Sequence, residues 1–199
     1  MRIAITGATG LLGQELTDYF RNTQGTEVFP LTHTECDVTD SKRIRAMLTD
    51  IMPDILINCA VILNVDFCEE NSEKCYAVNR NGVINLLEAA RAQDRRLTFV
   101  QISSSEVFGR VHEGEFLING YKEDDEARPA SVYQKSKKEA EDLLLDFVKK
   151  NPAVFNRWFI IRAGWLYGKG RKTFVDQFLE KLQKDDDLMV VKDQWRSPT

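Results

Sequence analysis

The sequence predicts an α/β fold built on a doubly wound parallel sheet, and three observations carry that prediction. An apolar run from Ile3 to Ile5 stops at Thr6, glycines follow at Gly7, Gly10 and Gly13, and an apolar-periodic stretch with Leu12, Leu16 and Phe20 then begins. That order reads as buried strand, tight turn and helix start. Short β-branched runs then alternate with amphipathic stretches along the chain, the pattern of right-handed βαβ units. Finally, the glycine turn belongs to the first of those units, where sheets of this kind bind dinucleotides. Gly7 lets the backbone turn sharply, Gly10 removes a Cβ where a phosphate approaches the main chain, and Gly13 lets helix and strand pack closely. The first helical turn, with Leu11 and Leu12, offers N–H groups and the positive end of the helix dipole to a pyrophosphate.

The remaining elements follow in order. Residues 28–31 predict a second strand. Asp40 is placed to cap a helix over residues 41–50, which Pro53 closes off. Residues 54–59 (Asp-Ile-Leu-Ile-Asn-Cys) read as a short, continuously apolar parallel strand. A helix is expected over residues 75–92, with Val78, Val83, Leu86, Leu87 and Ala90 inward. A strand over 97–102 ends at three serines, and a polar loop with Gly109, Gly114 and Gly120 runs to Pro129. A long helix over 132–150, a buried strand over 158–163, a helix over 174–184 and a strand over 188–191 complete the expected order.

Composition narrows the class of protein. A chain of 199 residues makes one large domain, or one domain and part of another. A net charge of −4 and an isoelectric point of about 5.4 argue against nucleic-acid and membrane-surface partners. No run of apolar residues is long enough to span a bilayer, and the N-terminus reads as a strand rather than a signal peptide. The four cysteines form no C-x-x-C pair, and with two histidines no metal site is expected. These features fit a reduced, cytoplasmic protein with free thiols. Cys59, after a buried strand, reads as a small hydrophobe.

The chemistry concentrates on Ser104, Tyr133 and Lys137. Tyr133 and Lys137 are four apart at a helix start and so share a face. An ammonium beside a phenol favours the phenolate and lowers its pKa, and a phenol so tuned exchanges a proton with a carbonyl or alcohol oxygen. Ser104 closes a buried strand at the carboxyl edge, where open α/β sheets hold ligands. Taken singly, each has a structural reading, since such Tyr–Lys spacings are common and serines often cap strands. Their occurrence behind the glycine turn gives them a joint meaning.

The segments Thr6–Gly13, Ser103–Gly109 and Tyr133-x-x-x-Lys137 resemble the extended short-chain dehydrogenase/reductase family. Within it, residues 37–40, 53–60, 65–66, 77–79, 131–133, 162–168, and 193–194 with 198–199, are similar to the dTDP-4-dehydrorhamnose reductases. The resemblance implies a Rossmann domain that uses NADPH or NADH to reduce the C4 ketone of a nucleotide-linked 6-deoxy-4-keto sugar. It implies that Ser104 orients the ketone, Tyr133 donates the proton, and Lys137 tunes Tyr133 and holds the nicotinamide ribose. Asp37 and Val38 would lie at the adenine, Ala60 and Val61 along the cofactor, and Asn79 beside it. Val65 and Trp165 would touch the sugar nucleotide, although Trp165 reads equally well as a core residue. Relatives are often dimers, so a homodimer is admitted.

Three positions depart from the reductases. Glu106 stands where tyrosine is usual, Gln134 where glycine follows the tyrosine, and Arg196 where glycine is common. Glu106 resembles half of the acid pair of sugar-nucleotide dehydratases, with Ser105 at the partner position, which ranks dehydration below reduction. It also reads as a candidate substrate contact or as a plain loop carboxylate. An epimerase or epimerase-reductase of the same family, and a cofactor-binding regulatory subunit, remain alternatives. The second strand ends Phe29-Pro-Leu-Thr-His33 with no carboxylate for a ribose 2′-hydroxyl, so Thr32 and His33 would accept a 2′-phosphate. That favours NADP(H), with NAD(H) tolerated. The expected organisation is a Rossmann domain over residues 1–150, then the last sheet strands and the start of an incomplete substrate lobe over 151–199. The C-terminal lobe is expected to be truncated or missing, so the chain should bind a dinucleotide yet turn over sugar poorly.

Overall fold

The computed structural model describes residues 1–109, 120–168 and 172–184. Five strands form one parallel sheet: β1 (Arg2–Thr6), β2 (Glu27–Leu31), β3 (Ile55–Asn58), β4 (Leu97–Ser104) and β5 (Phe155–Ala163). Their order in space is β2-β1-β3-β4-β5, so the chain steps outward from β1 to one edge and then returns to build toward the other. The helices are α1 (Leu11–Arg21), α2 (Ser41–Ile51), α3 (Val65–Glu70), α4 (Ser72–Tyr76), α5 (Gly82–Arg91), α6 (Val132–Lys150) and α7 (Phe174–Gln183).

Strand periodicity divides the core between the two faces of the sheet. Ile3, Ile5 and Ile57 point to one side, where Leu16 and Phe20 of α1 pack on them. Ala4, Leu56, Leu97 and Phe99 point to the other, against Ile44 and Leu48 of α2, Leu86 and Leu87 of α5, and Ala140 and Leu144 of α6. A sheet covered on both faces requires apolar residues at successive positions, which is why β1 and β3 read as unbroken apolar runs. Helix starts are set locally. Asp40 accepts hydrogen bonds from the backbone N–H groups of Lys42 and Arg43. Ser131 and Gln134 form a reciprocal capping box that starts α6 at Val132.

The structure departs from the sequence reading in five places. The helix expected over 75–92 is helical throughout but passes through a π-type turn at Ala77–Asn81. Short helix α3 and a 3-10 turn, Ser105–Phe108, were not foreseen. Both are too short for the periodicity of their apolar residues to identify them. β4 continues through Ser103 and Ser104, because both pair in register with Arg162 and Ala163 of β5. The strand read as buried over 158–163 starts earlier and lies at the sheet edge, with Trp158, Phe159 and Ile161 exposed at 40, 46 and 48%. Its apolar run matches that of a central strand, and only its place in the sheet leaves it uncovered among the described residues. The strand expected over 188–191 and Arg196 lie outside the described residues. No described helix is long and apolar enough to cross a membrane.

Candidate active site

The glycine turn is built around close backbone contacts. Gly7 has φ +65°, and a Cβ on it would sit 2.7 Å from the Cys59 carbonyl and the Ala60 nitrogen. A Cβ on Gly13 would lie 2.4 Å from the Gly7 carbonyl oxygen. Side chains at either position would push β1, α1 and the chain leaving β3 apart. Gly10 is the extended N-cap of α1, its own N–H donating to the Gly7 carbonyl at 2.9 Å. Among the described residues, no side chain caps the α1 N-terminus by a hydrogen bond at Gly10. This cradle fits a diphosphate, held by the first N–H groups of the helix around Leu11, Leu12 and Gly13.

The chain leaving β3 forms the next wall. Ala60 and Val61 are half-buried there, and the Ala60 N–H donates to Asn58 Oδ1 at 3.2 Å. Asn79 is buried and its amide clamps Ile62 from both sides, accepting from the Ile62 N–H at 2.8 Å and donating to its carbonyl at 3.1 Å. It also donates to Ser136 Oγ at 3.1 Å. With its oxygen and nitrogen so engaged, Asn79 shapes the wall, tying it to the first turns of α6.

The catalytic candidates meet at the carboxyl edge of β4. Tyr133 and Lys137 lie on the first turns of α6, with 6 and 3% of their surfaces exposed. Tyr133 packs with Cys68, Cys75, Val61 and Ile62, and Ser104 is the polar side chain that acts on its phenol. Ser104 Oγ also accepts from the Glu106 N–H at 3.1 Å. Lys137 Nζ donates to the Ile102 carbonyl at 2.7 Å. Burial lowers the Lys137 pKa to about 8, against the pull of the Glu141 carboxylate and the flanking Cys59 and Cys75. Burial also raises the Tyr133 pKa, opposed by Ser104 and reinforced by the Glu106 carboxylate. A phenol lowered by its lysine neighbour was expected. Here desolvation dominates, because the ring is enclosed by α3, α4 and α6.

The other expected contacts are spread around this centre. His33 is exposed just past β2. Asp37 accepts from the backbone N–H and hydroxyl of Thr39 at 2.9 and 2.7 Å, while the Val38 side chain is buried against Gly82 of α5. Val65 opens α3 and is 44% exposed, and Trp165 is half-buried just beyond β5. Cys59 packs on the Ile3–Ile5 side of the core, its thiol pushed up to about 12 by burial.

Two groups escaped the sequence reading. A carboxylate does stand at the end of β2: Glu35 folds back to accept from the Thr32 N–H at 3.0 Å and the Thr32 hydroxyl at 2.7 Å. It lies four residues past the strand, and the Thr32-x-x-Glu35 spacing, in which a carboxylate reaches back to the threonine N–H, was the signal that could have found it. Glu141, buried to 1% exposure, accepts from Ser103 Oγ at 2.5 Å and from the Arg162 guanidinium at 2.8 Å. That pair locks β4, β5 and α6 together behind Lys137.

A glycine cradle on the first strand of a parallel sheet, with a serine, a tyrosine and a lysine at the sheet's carboxyl edge, defines an extended short-chain dehydrogenase/reductase fold. The chain belongs to the RmlD substrate binding domain family, which matches residues 1–199. It is 33% identical over 199 residues to the spore coat polysaccharide biosynthesis protein SpsK of Bacillus subtilis (strain 168), covering all of this chain and 65% of that protein. It is 35% identical over 199 residues to the dTDP-4-dehydrorhamnose reductase of Mycolicibacterium smegmatis, covering all of this chain and 56% of that one. The crystal structure of a dTDP-4-dehydrorhamnose reductase from Clostridium acetobutylicum superposes with a TM-score of 0.81 at 35% identity, over 98% of this chain and 64% of that one. The Bacillus anthracis dTDP-4-dehydrorhamnose reductase, solved in complex with NADP, gives 0.78 at 29% identity, over 94% of this chain and 61% of that one. The chain thus spans roughly three-fifths of the length of these relatives.

Proposed function

We propose that the protein is an NADPH-dependent oxidoreductase that reduces the C4 ketone of a nucleotide-linked 4-keto-6-deoxy sugar. The observation that carries this reading is the burial together of Ser104 at the end of β4 and of Tyr133 and Lys137 one helical turn apart on α6, at the sheet edge that the glycine cradle shares. Relatives that are dTDP-4-dehydrorhamnose reductases, one of them solved with NADP, supply the substrate class and the cofactor.

A bound reduced nicotinamide supplies hydride to the ketone carbon. The remaining work falls to this chain's own groups. Ser104 Oγ hydrogen-bonds the ketone oxygen and holds it beside the phenol. Tyr133 gives its proton to that oxygen as negative charge develops there. A phenol raised above its ordinary range is still protonated at neutral pH, as a donor must be. Lys137 lies on the same helical face and stabilises the phenolate left behind. The cofactor-binding unit is assigned to residues 1–150, with Val65, Glu106 and Trp165 toward the sugar nucleotide and residues 151–199 opening the substrate half. A homodimer is admitted by this reading.

The test is a Tyr133→Phe substitution, assayed for NADPH oxidation with dTDP-4-keto-6-deoxy sugars and for NADPH affinity by fluorescence. Turnover should fall by roughly 10²–10⁴-fold while affinity stays within a few-fold. Undiminished turnover refutes the assignment of the proton. Conversion of the sugar by the native protein without net NADPH consumption refutes the reductase reading.

A further inference from the structure

Three buried polar side chains stand in one row across the middle of the sheet. Thr6 of β1, Asn58 of β3 and Gln101 of β4 are paired in register, and each is at most 2% exposed. Thr6 Oγ1 donates to Asn58 Oδ1 at 2.6 Å, Asn58 Nδ2 to Gln101 Oε1 at 2.8 Å, and Gln101 Nε2 to the Ile102 carbonyl at 2.8 Å. That same carbonyl receives Lys137 Nζ. Every bond runs the same way, with donors facing the lysine. One end of the row is the residue that enters the glycine turn, and the other is the seat of the lysine.

A row of this kind is costly in a central sheet, where valine or leucine would fill the space with no desolvation penalty. It is tolerated because each polar atom is matched, and aligned hydrogen bonds polarise one another. We propose that Gln101 is a positioning residue for Lys137 that acts through the Ile102 carbonyl both share: its amide, itself held by Asn58 and Thr6, takes part of that oxygen's hydrogen-bonding capacity and so weakens the seat of the ammonium. This rests on the reductase reading for what Lys137 does, but not for where Lys137 is held. Gln101 lies within β4 and is buried there.

The proposal predicts how Lys137 titrates. The groups facing it are Glu141 on α6, Cys59 beyond β3 and Cys75 on α4, with Tyr133 one turn away on α6. The Gln101 amide places a partial positive charge on the carbonyl that Lys137 uses. Gln101→Leu removes that competitor and leaves the carbonyl to the ammonium, so the Lys137 pKa should rise by roughly half a unit to one unit. Gln101→Glu keeps the acceptor for Asn58 but replaces the donor with a carboxylate, and should raise it further. Because glutamate is isosteric, this variant stands in for the leucine variant should that one fail to fold.

The measurement is a pH titration of the Lys137 side chain by NMR on ¹³C-lysine-labelled protein, assigned with Lys137→Met, alongside NADPH affinity at neutral pH. An ordered rise from native through Leu to Glu, with affinity within about threefold of native, supports the proposal. Midpoints that do not move in folded variants overturn it, as does a downward shift. Neither readout needs turnover, so an absence of keto-sugar reduction would count against the reductase reading alone.

Discussion

Gln134 Nε2 donates to Glu106 Oε2 across 3.2 Å, joining the first turn of α6 to the 3-10 turn after β4. Both residues are departures from the reductases that the sequence resembles, and the structure shows them to be partners. Gln134 Oε1 meanwhile accepts the backbone N–H groups of Ala130 and Ser131, closing the cap that sets the start of the tyrosine helix. One substituted side chain thus caps α6 and steers a carboxylate to the flank of Tyr133.

That carboxylate raises the pKa of the phenol, because phenolate and carboxylate repel. Glu106→Gln keeps the shape and removes the charge, so the Tyr133 pKa should fall. Expressed as proton release, the variant should form phenolate at lower pH than the native protein. A ¹³Cζ-tyrosine titration, with Tyr133→Phe to assign the resonance, checks the sign. Burial is the larger cause of the raised value, so the variant should still titrate above an ordinary tyrosine.

Lys137 carries a stability cost that depends on pH. Its folded pKa is about 8 against an ordinary 10.5, so between those values the unfolded chain holds the proton more tightly than the native state. Stability from this group therefore rises with pH across that window, and the full penalty is present below it. Lys137→Met removes the buried charge while leaving the Ile102 carbonyl its bond from Gln101. At neutral pH the variant should be more stable by about 1–3 kcal/mol, while losing turnover. The gain should shrink as pH climbs toward 10.5. Urea unfolding of both proteins at several pH values checks it, and a variant that is less stable, or a difference independent of pH, contradicts it.

Much of this architecture is legible before any coordinates. The apolar runs at Ile3–Ile5 and Ile55–Ile57 announce strands covered on both faces, and the capping residue Asp40 marks a helix start that the structure keeps. What periodicity cannot carry is position within the sheet. Phe159 and Ile161 look as deeply buried as Leu56, yet among the described residues they stand exposed on the outermost strand. The Ser104, Tyr133 and Lys137 positions follow from spacing, while their electrostatics do not. The phenol is governed by enclosure from α3 and α4, which the sequence places no nearer to it than any other helix. Asn58 and Gln101 each read as one polar residue in a strand, and only register makes them neighbours.

The end of β2 gives the last expectation. Glu35 takes both the N–H and the hydroxyl of Thr32, and the Thr34 hydroxyl lies 3.0 Å from that of Thr32. Dinucleotide-binding sheets of this kind bring the adenosine ribose to the end of the second strand, and here the chain's own carboxylate already occupies the Thr32 donors. The hydrogen bonds from Thr32 hold Glu35 below the usual carboxylate range, so it is charged at neutral pH. A 2′-phosphate arriving there meets a like charge as well as donors that are taken. Glu35→Gln removes the charge, and should raise the affinity for NADPH relative to NADH by about fivefold, since a unit-charge repulsion near a solvated surface is worth about 1 kcal/mol. Paired fluorescence titrations of native and variant protein measure the ratio. Because the repulsion is between exposed charges, the difference should narrow as salt rises from 50 to 500 mM, taken as order-of-magnitude bounds on about 14 and 4 Å of screening length. A ratio that does not respond to the substitution would place the 2′-phosphate away from Thr32, with His33 then the nearer candidate.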